Sequence, residues 1–326
     1  MTGGGPAGGP GVPRMRESDL LSRIYAGSRD LEAAFPHVVA GPGHDCAVVA
    51  TPGGECLLLK VDQLVAGRHF RPHPHTPLDL IARKAIARAV SDIAACGGRP
   101  RAALAAATLP PDFGEAPGLF EAMARWARHW GCPLVGGDLV MLSAGQQGPL
   151  VLSVSVQGVP HAARGPVLRS GAGRGDAVYV TGALGGSLDR ATGLGHHLTF
   201  EPRLEEARWL CDTLGDDLHA MMDVSDGLGR DGGRLAAASG VRLRLESGRL
   251  PRSPGVREWR AAASEGEDYE LLFAAAEGAR VPDRCPATGT PITLIGRAEA
   301  GTGCVIVAGD GTEVDASGMG WDYAAI

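Results

Sequence analysis

Short apolar runs of strand length alternate with segments of helical period through both halves of this 326-residue chain. That alternation restricts the fold to α/β or α+β architectures. In the first half, strands are expected at Ala47–Val49, Leu57–Val61, Ala102–Thr108, Pro133–Val135 and Leu150–Gln157. The last alternates Leu or Val with Ser or Gln, the period-2 pattern of a half-exposed antiparallel strand. Helices are expected at Ser18–Ile24, from Thr76 to the stop at Gly97-Gly98, and near Ala116–His129. Thr76 is placed to cap the second of these, with Pro77 at its first helical position. The second half restarts with a strand at Ala177–Thr181, the glycine-rich turn Gly182–Gly186 and a helix. Strands follow at Met221–Val224, Val241–Glu246 and Tyr269–Ala275, with a helix ending at Gly240. The small residues of His161–Arg169 suggest a boundary between an N-terminal domain over 15–160 and a C-terminal domain over 161–326. A Gly/Pro-rich tail over 1–14, without the basic start and apolar core of a secretory signal, precedes them.

Composition narrows the function classes. The formal charge of −6 argues against a broad nucleic-acid-binding surface. No uncharged apolar run approaches the ~18 residues of a transmembrane helix, so no membrane association is expected. Seven scattered cysteines without a C-x-x-C motif suit a reduced cytoplasm better than a disulfide framework or a zinc ribbon. His69, His73 and His75 are interrupted by prolines and read as an irregular loop rather than a zinc site.

Aspartates recur where strands or helices meet glycine or a turn: Asp45 after Gly43-His44, Asp62 after Val61, Asp92 before Gly97-Gly98, Asp138 after Gly136-Gly137, and Asp223 and Asp226 in Asp-Val-Ser-Asp-Gly. Any one alone is an ordinary turn residue. Repetition changes the reading, because carboxylates gathered at strand ends suit hard cations such as Mg²⁺, which takes oxygen ligands while bridging phosphates. Neighbouring glycines let backbone N–H groups approach phosphate oxygens. Asp92 lies on a helical stripe with Ala85, Ala89 and Cys96, small residues that leave room for a close approach. There is no Walker P-loop, G-x-G-x-x-G fingerprint or Ser-His-Asp set.

The motifs GHDCAVV, KVDQLVAGRHF, SDIAACGGRP, VGGD, DVSDGL, GEDYELLF and GWDY occur in this order. Together, over roughly residues 15–325, they make the chain resemble the thiamine-monophosphate kinases, members of the AIR-synthase-like ATP-binding superfamily. The resemblance implies a two-domain α+β fold, with an N-terminal mixed-sheet domain that pairs with a second subunit and a C-terminal α/β domain. It implies Mg²⁺- and ATP-dependent phosphorylation of thiamine monophosphate to thiamine diphosphate by a cytoplasmic homodimer. Carried over by motif, Asp45, Asp62, Asp92, Asp138, Asp223 and Asp226 would ligate metal, with Asp92, Asp138 and Asp226 catalytic. Gly137, Asp138, Arg169 and Ser225 would contact ATP, and His69, Glu267 and Trp321 would hold thiamine phosphate. Two positions depart from the family pattern. His44 stands where members carry an aspartate, and Lys60-Val61 where they carry hydroxyl-bearing residues. These departures leave three outcomes open: a kinase in which Lys60 replaces a metal ion, a related ATP-using enzyme with another acceptor, or a binder without turnover.

Overall fold

The computed structural model of the protein describes residues 16–322, so the tail expected over 1–14 lies outside the described residues. The first half runs α1 (Glu17–Gly27), α2 (Leu31–Ala34), β1 (Val38–Ala40), β2 (Ala47–Ala50), β3 (Cys56–Val65), α3 (Leu78–Ala95), β4 (Arg99–Leu109), α4 (Ala116–His129), β5 (Leu134–Met141) and β6 (Val151–Val159). The second half runs β7 (Ala177–Thr181), α5 (His196–Thr199), α6 (Leu204–Leu214), β8 (Leu218–Asp223), α7 (Leu228–Ser239), β9 (Arg242–Glu246), α8 (Trp259–Ser264), β10 (Leu271–Ala275), β11 (Ile292–Glu299), β12 (Gly303–Val307) and β13 (Glu313–Asp315).

Each half builds one mixed sheet. The first has the order β1-β2-β3-β6-β4-β5 and is antiparallel except between β4 and β5. The second has the order β13-β12-β9-β11-β7-β10-β8 and is parallel only between β12 and β9. Helix α3 joins the two. From Ile81 to Ala95 every residue except Arg88 is buried. It packs on β3 and β6 of the first sheet, and on α4, α5, α6 and β8. A helix apolar nearly all round must be enclosed on all sides, and its many alanines let those neighbours come close.

Several elements outrun their sequence limits. Strand β3 continues past Asp62 to Val65 because β6 opposes it over its length, pairing Asp62 with Val154 and Val65 with Val151. Asp62 is thus inside a strand, not at its end. Gly136-Gly137-Asp138 likewise lies within β5, paired with Leu104, Ala105 and Ala106 of β4. At the start of α3, Pro77 is the N-cap residue, and the buried Thr76 hydroxyl makes no hydrogen bond among the described residues. No helix follows the turn at Gly182–Gly186 until the single turn of α5. The turn is tied instead to Asp268, whose Oδ1 accepts from the Gly185 N–H at 2.9 Å and the Ser187 hydroxyl at 2.6 Å.

The α3–β4 corner is closely packed. A Cβ on Gly98 would overlap Leu58 Cδ1 and come within 3.0 Å of the Ile93 and Val159 carbonyl oxygens. Gly98→Ala is therefore expected to destabilise the fold by about 1–3 kcal/mol, read as a lower urea midpoint. An unchanged midpoint would show that the corner can relax.

Asp268 is buried, and among the described residues its Oδ2 has no hydrogen-bond partner. Burial pushes its carboxyl up to about 8, against the hydrogen bonds from Ser187 and Gly185. The unfolded chain releases this proton near pH ~4 and the native state retains it. The group's contribution is therefore complete below that value and lost as pH climbs towards 8. Asp268→Asn, neutral throughout, should gain stability relative to the native protein between pH 5 and pH 8. Parallel stability profiles of the two proteins over that range would contradict this.

Candidate active site

The loop before β2, the last turn of α3 and the end of β8 each deliver one buried aspartate to a common point. Asp45, Asp92 and Asp223 offer carboxylate oxygens that all lie within 4.8 Å of one another. The first two belong to the N-terminal half and the third to the second sheet. Ser91, beside Asp92 on α3, donates its hydroxyl to Asp223 Oδ2 at 2.6 Å and fixes the two halves at this point.

Chain cations surround the acids. Arg169 grips Asp45 with both branches of its fork, Nη2 to Oδ1 at 2.6 Å and Nε to Oδ2 at 3.1 Å. Lys60, on β3, places its ammonium 2.7 Å from Asp92 Oδ1 and 3.5 Å from Asp62 Oδ1. Arg88 adds a second positive charge 4.0 Å from Asp62 Oδ2. Burial raises the Asp92 carboxyl well above its ordinary range, with Lys60 acting against it. Burial, then the Asp45 charge, pushes Asp223 up to about 7. At Asp62 burial is outweighed by Lys60 and Arg88, and the carboxyl is held low. Lys60 is raised above its ordinary value because Asp62 and Asp92 overcome its desolvation.

These groups open on a cleft of about 550 Å³. The same cleft is lined by Glu267, in left-handed backbone with φ 55°. Lys84, with no exposed side-chain surface, donates to both Glu267 oxygens at 2.8 Å and to the His69 carbonyl at 2.9 Å. His197 Nδ1 lies 2.8 Å from the same ammonium and 3.2 Å from Glu267 Oε2. Burial alone would raise the Glu267 carboxyl, but Lys84 and His197 hold it down at about 2. Burial, then the charges of Arg88 and Lys84, pulls His69 down to about 4. His69 is thus a neutral imidazole whose Nδ1 accepts from the Val65 N–H at 2.9 Å, leaving Nε2 as its donor.

The loop after β8 forms the floor. Backbone N–H groups of Ser225, Asp226 and Gly227 converge on Asp231 Oδ2 at 3.0, 2.8 and 3.1 Å. Arg234 bonds Asp226 and Asp231 together. At the mouth, the Trp321 N–H donates to the Asp226 carbonyl at 2.9 Å, and its indole N–H is fixed on the Glu265 carbonyl. Helix α1 covers the same mouth with Leu21 and Tyr25. It is tied there by Ser18, whose hydroxyl donates to Asp322 Oδ2 at 3.0 Å.

Of the residues singled out in the sequence, Asp62, Asp92, Asp223, Asp226, Arg169, Ser225, His69, Glu267 and Trp321 line this one cleft, with Asp45 buried directly behind. Asp138 and Gly137 do not join them. Pairing aligns Asp62, Val154, Ala105 and Gly137 in one row across the sheet, and Gln63, Ser153, Ala106 and Asp138 in the next. Successive rows face opposite sides of a sheet. Lys60 and Asp62 face α3, so Asp138 stands on the outer face, on the exposed edge strand β5. Sequence reading missed Ser91, Arg88, Lys84, His197, Asp231 and Arg234. Lys84 did carry a signal, being one of only two lysines in the chain and two helical turns before Asp92.

Comparison with known proteins fits this geometry. Residues 43–159 match the AIR synthase related protein, N-terminal domain, and residues 173–309 match the corresponding C-terminal domain. The chain is 35% identical over 305 residues to the thiamine-monophosphate kinase of Rhodopirellula baltica, covering 88% of this chain and 90% of that protein. It is 33% identical to the Salmonella typhimurium enzyme of the same name, covering 95% of this chain and 98% of that one. Among solved structures, AaThiL complexed with AMPPCP and TMP superposes with a TM-score of 0.75 at 28% identity, over 94% of this chain and 97% of that one. With a shared two-domain fold and identity sustained over nearly its whole length, the chain belongs to the thiamine-monophosphate kinase family.

Proposed function

We propose that the protein transfers the γ-phosphoryl group of ATP to thiamine monophosphate, forming thiamine diphosphate and ADP. The observation that carries this reading is the meeting of Asp45, Asp92 and Asp223 at a cleft that is also lined by an ionised Glu267 and a neutral His69. The relatives named thiamine-monophosphate kinase, and a structural neighbour holding AMPPCP and TMP, support the same pair of substrates.

The acceptor is a phosphate oxygen, largely ionised at neutral pH because the second pKa of a phosphate ester is ~6. No strong base is required, in keeping with the cleft's chemistry. Its one histidine assigned to substrate, His69, is an imidazole fixed as a donor. A bond forms from that oxygen to the γ-phosphorus as the bond to the ADP oxygen breaks. The main obstacle is bringing two polyanions together. Three close carboxylate oxygens are hard donors of the kind Mg²⁺ prefers, so the residues present fit divalent metal. Asp45, Asp92 and Asp223, flanked by Asp62 and Asp226, would hold it. Bound there, it would neutralise charge on the transferring group. Arg169 spends three of its five N–H groups on Asp45 and Gly43 and retains the others for phosphate. Ser225 lines the same cleft. Glu267 is acceptor-only and suits the amino or cationic part of thiamine, and the Trp321 ring at the mouth can stack on it.

The reading includes a homodimer. On the outer face of the first sheet Val61, Leu104 and Val140 are 63%, 49% and 49% exposed, an apolar face more typical of an interface than of open surface. In such a dimer Asp138 would face the second copy rather than its own acid cluster. Among the described residues no helix is long and apolar enough to cross a membrane. All seven cysteines are unbridged, which supports a cytoplasmic location.

Incubation with Mg²⁺, ATP and thiamine monophosphate is expected to yield ADP and thiamine diphosphate in equal amounts. Absence of both products, or turnover only with another phosphate acceptor, would overturn the assignment. Asp92→Asn should lower kcat by roughly 10²-fold or more, the scale of several kcal/mol of lost electrostatic stabilisation. Its far-ultraviolet circular dichroism should stay native, and a near-native rate would remove Asp92 from the machinery.

A further inference from the structure

Sequence reading leaves the role of Lys60 open, and its geometry is specific. A lysine on a strand usually packs its stem and keeps its ammonium in water. Here the side chain is only 20% exposed, and the ammonium stands between two carboxylates, 2.7 Å from Asp92 Oδ1 and 3.5 Å from Asp62 Oδ1. The acid cluster is therefore asymmetric. On the Asp62–Asp92 side a tethered cation already bridges the oxygens. On the Asp223 side the carboxylate accepts a neutral hydroxyl from Ser91 and, among the described residues, has no ion pair. Asp45 lies between, its Arg169 contacts using only part of the lone-pair capacity of its two oxygens.

We propose that Lys60 is a built-in cation that takes the place of one divalent ion between Asp62 and Asp92, so that the protein binds one metal ion fewer per chain than its carboxylates could hold. The inference rests on the phosphoryl-transfer reading above. A divalent ion shared by two carboxylates must sit about 2.0–2.1 Å from an oxygen of each. An ammonium hydrogen-bonded to one and close to the other fills that space, and the two cannot coexist there. The lysine supplies positive charge independently of the free metal concentration. Metal is left to the Asp45–Asp223 side, where it can meet the nucleotide.

Metal counting on the full-length protein tests this. Bound Mn²⁺ per chain is measured by paramagnetic resonance of the free ion, with Mn²⁺ alone and with Mn²⁺ plus AMPPCP. Lys60→Ser and Lys60→Gln should each bind one more ion per chain than the native protein, and Lys60→Arg the native number. Circular dichroism verifies folding, and the more conservative Gln variant carries the test should the Ser variant not fold. An unchanged or reduced count in a folded Ser or Gln variant overturns the proposal while leaving the kinase reading intact. A native protein that takes up no Mn²⁺ in either condition overturns the metal-assisted reading itself, and this inference with it.

Discussion

Three carboxylates held within 4.8 Å of one another and shielded from water are the costliest arrangement in this molecule. Two like charges at that separation repel by about 3 kcal/mol at an effective dielectric constant of ~20, and burial adds its own penalty. Such a cluster must take up protons or gather cations. Both responses are present, in the raised Asp92 and Asp223 carboxyls and in the contacts of Lys60 and Arg169. Much of the surrounding architecture exists to keep those acids together despite their repulsion.

Helix α3 does most of that holding. It carries Asp92 and Ser91 near its C-terminal end and Lys84 two turns earlier, and enclosure on every side fixes its rotation and tilt. Eight residues separate Lys84 from Asp92, about 12 Å along a helix axis at 1.5 Å per residue. One rigid element therefore sets the spacing between the acid centre and the Lys84–Glu267 ion pair. The strained backbone at Glu267 and Tyr269, with φ 55° and 53°, is tolerated because that pair and the Ser225 and Val224 carbonyls restrain the segment.

Sequence reasoning succeeded where a local signal coincides with a tertiary one. The α4 limits Ala116–His129 and the β7 limits Ala177–Thr181 agree residue for residue with the structure, since glycine, proline and periodicity mark both ends. Family motifs brought nine assigned residues to one cleft, with Asp45 just behind. It failed where partners are distant in the chain. Nothing local shows that β6 extends β3 past Asp62, or that β5 carries Asp138 on the side away from α3. Strands β11 to β13 and helix α6 were not foreseen. Gly296 within β11, which lets the Arg244 backbone approach closely, reads locally as a turn residue. The pairings of Lys84 with Glu267 and Ser91 with Asp223 span 183 and 132 residues, and no window along the chain contains either.

Those two long-range pairings also bear on how such a protein can change over evolutionary time. Each places half of a buried polar contact on α3 and the other half in the C-terminal half of the chain. Exchange of either half for one from a distant relative would leave Lys84 or Asp223 without its counterpart in a dry interior, where an uncompensated charge is severely penalised. The halves look like modules in their sheet topology, yet they are bound to co-vary and are poor candidates for recombination as separate cassettes.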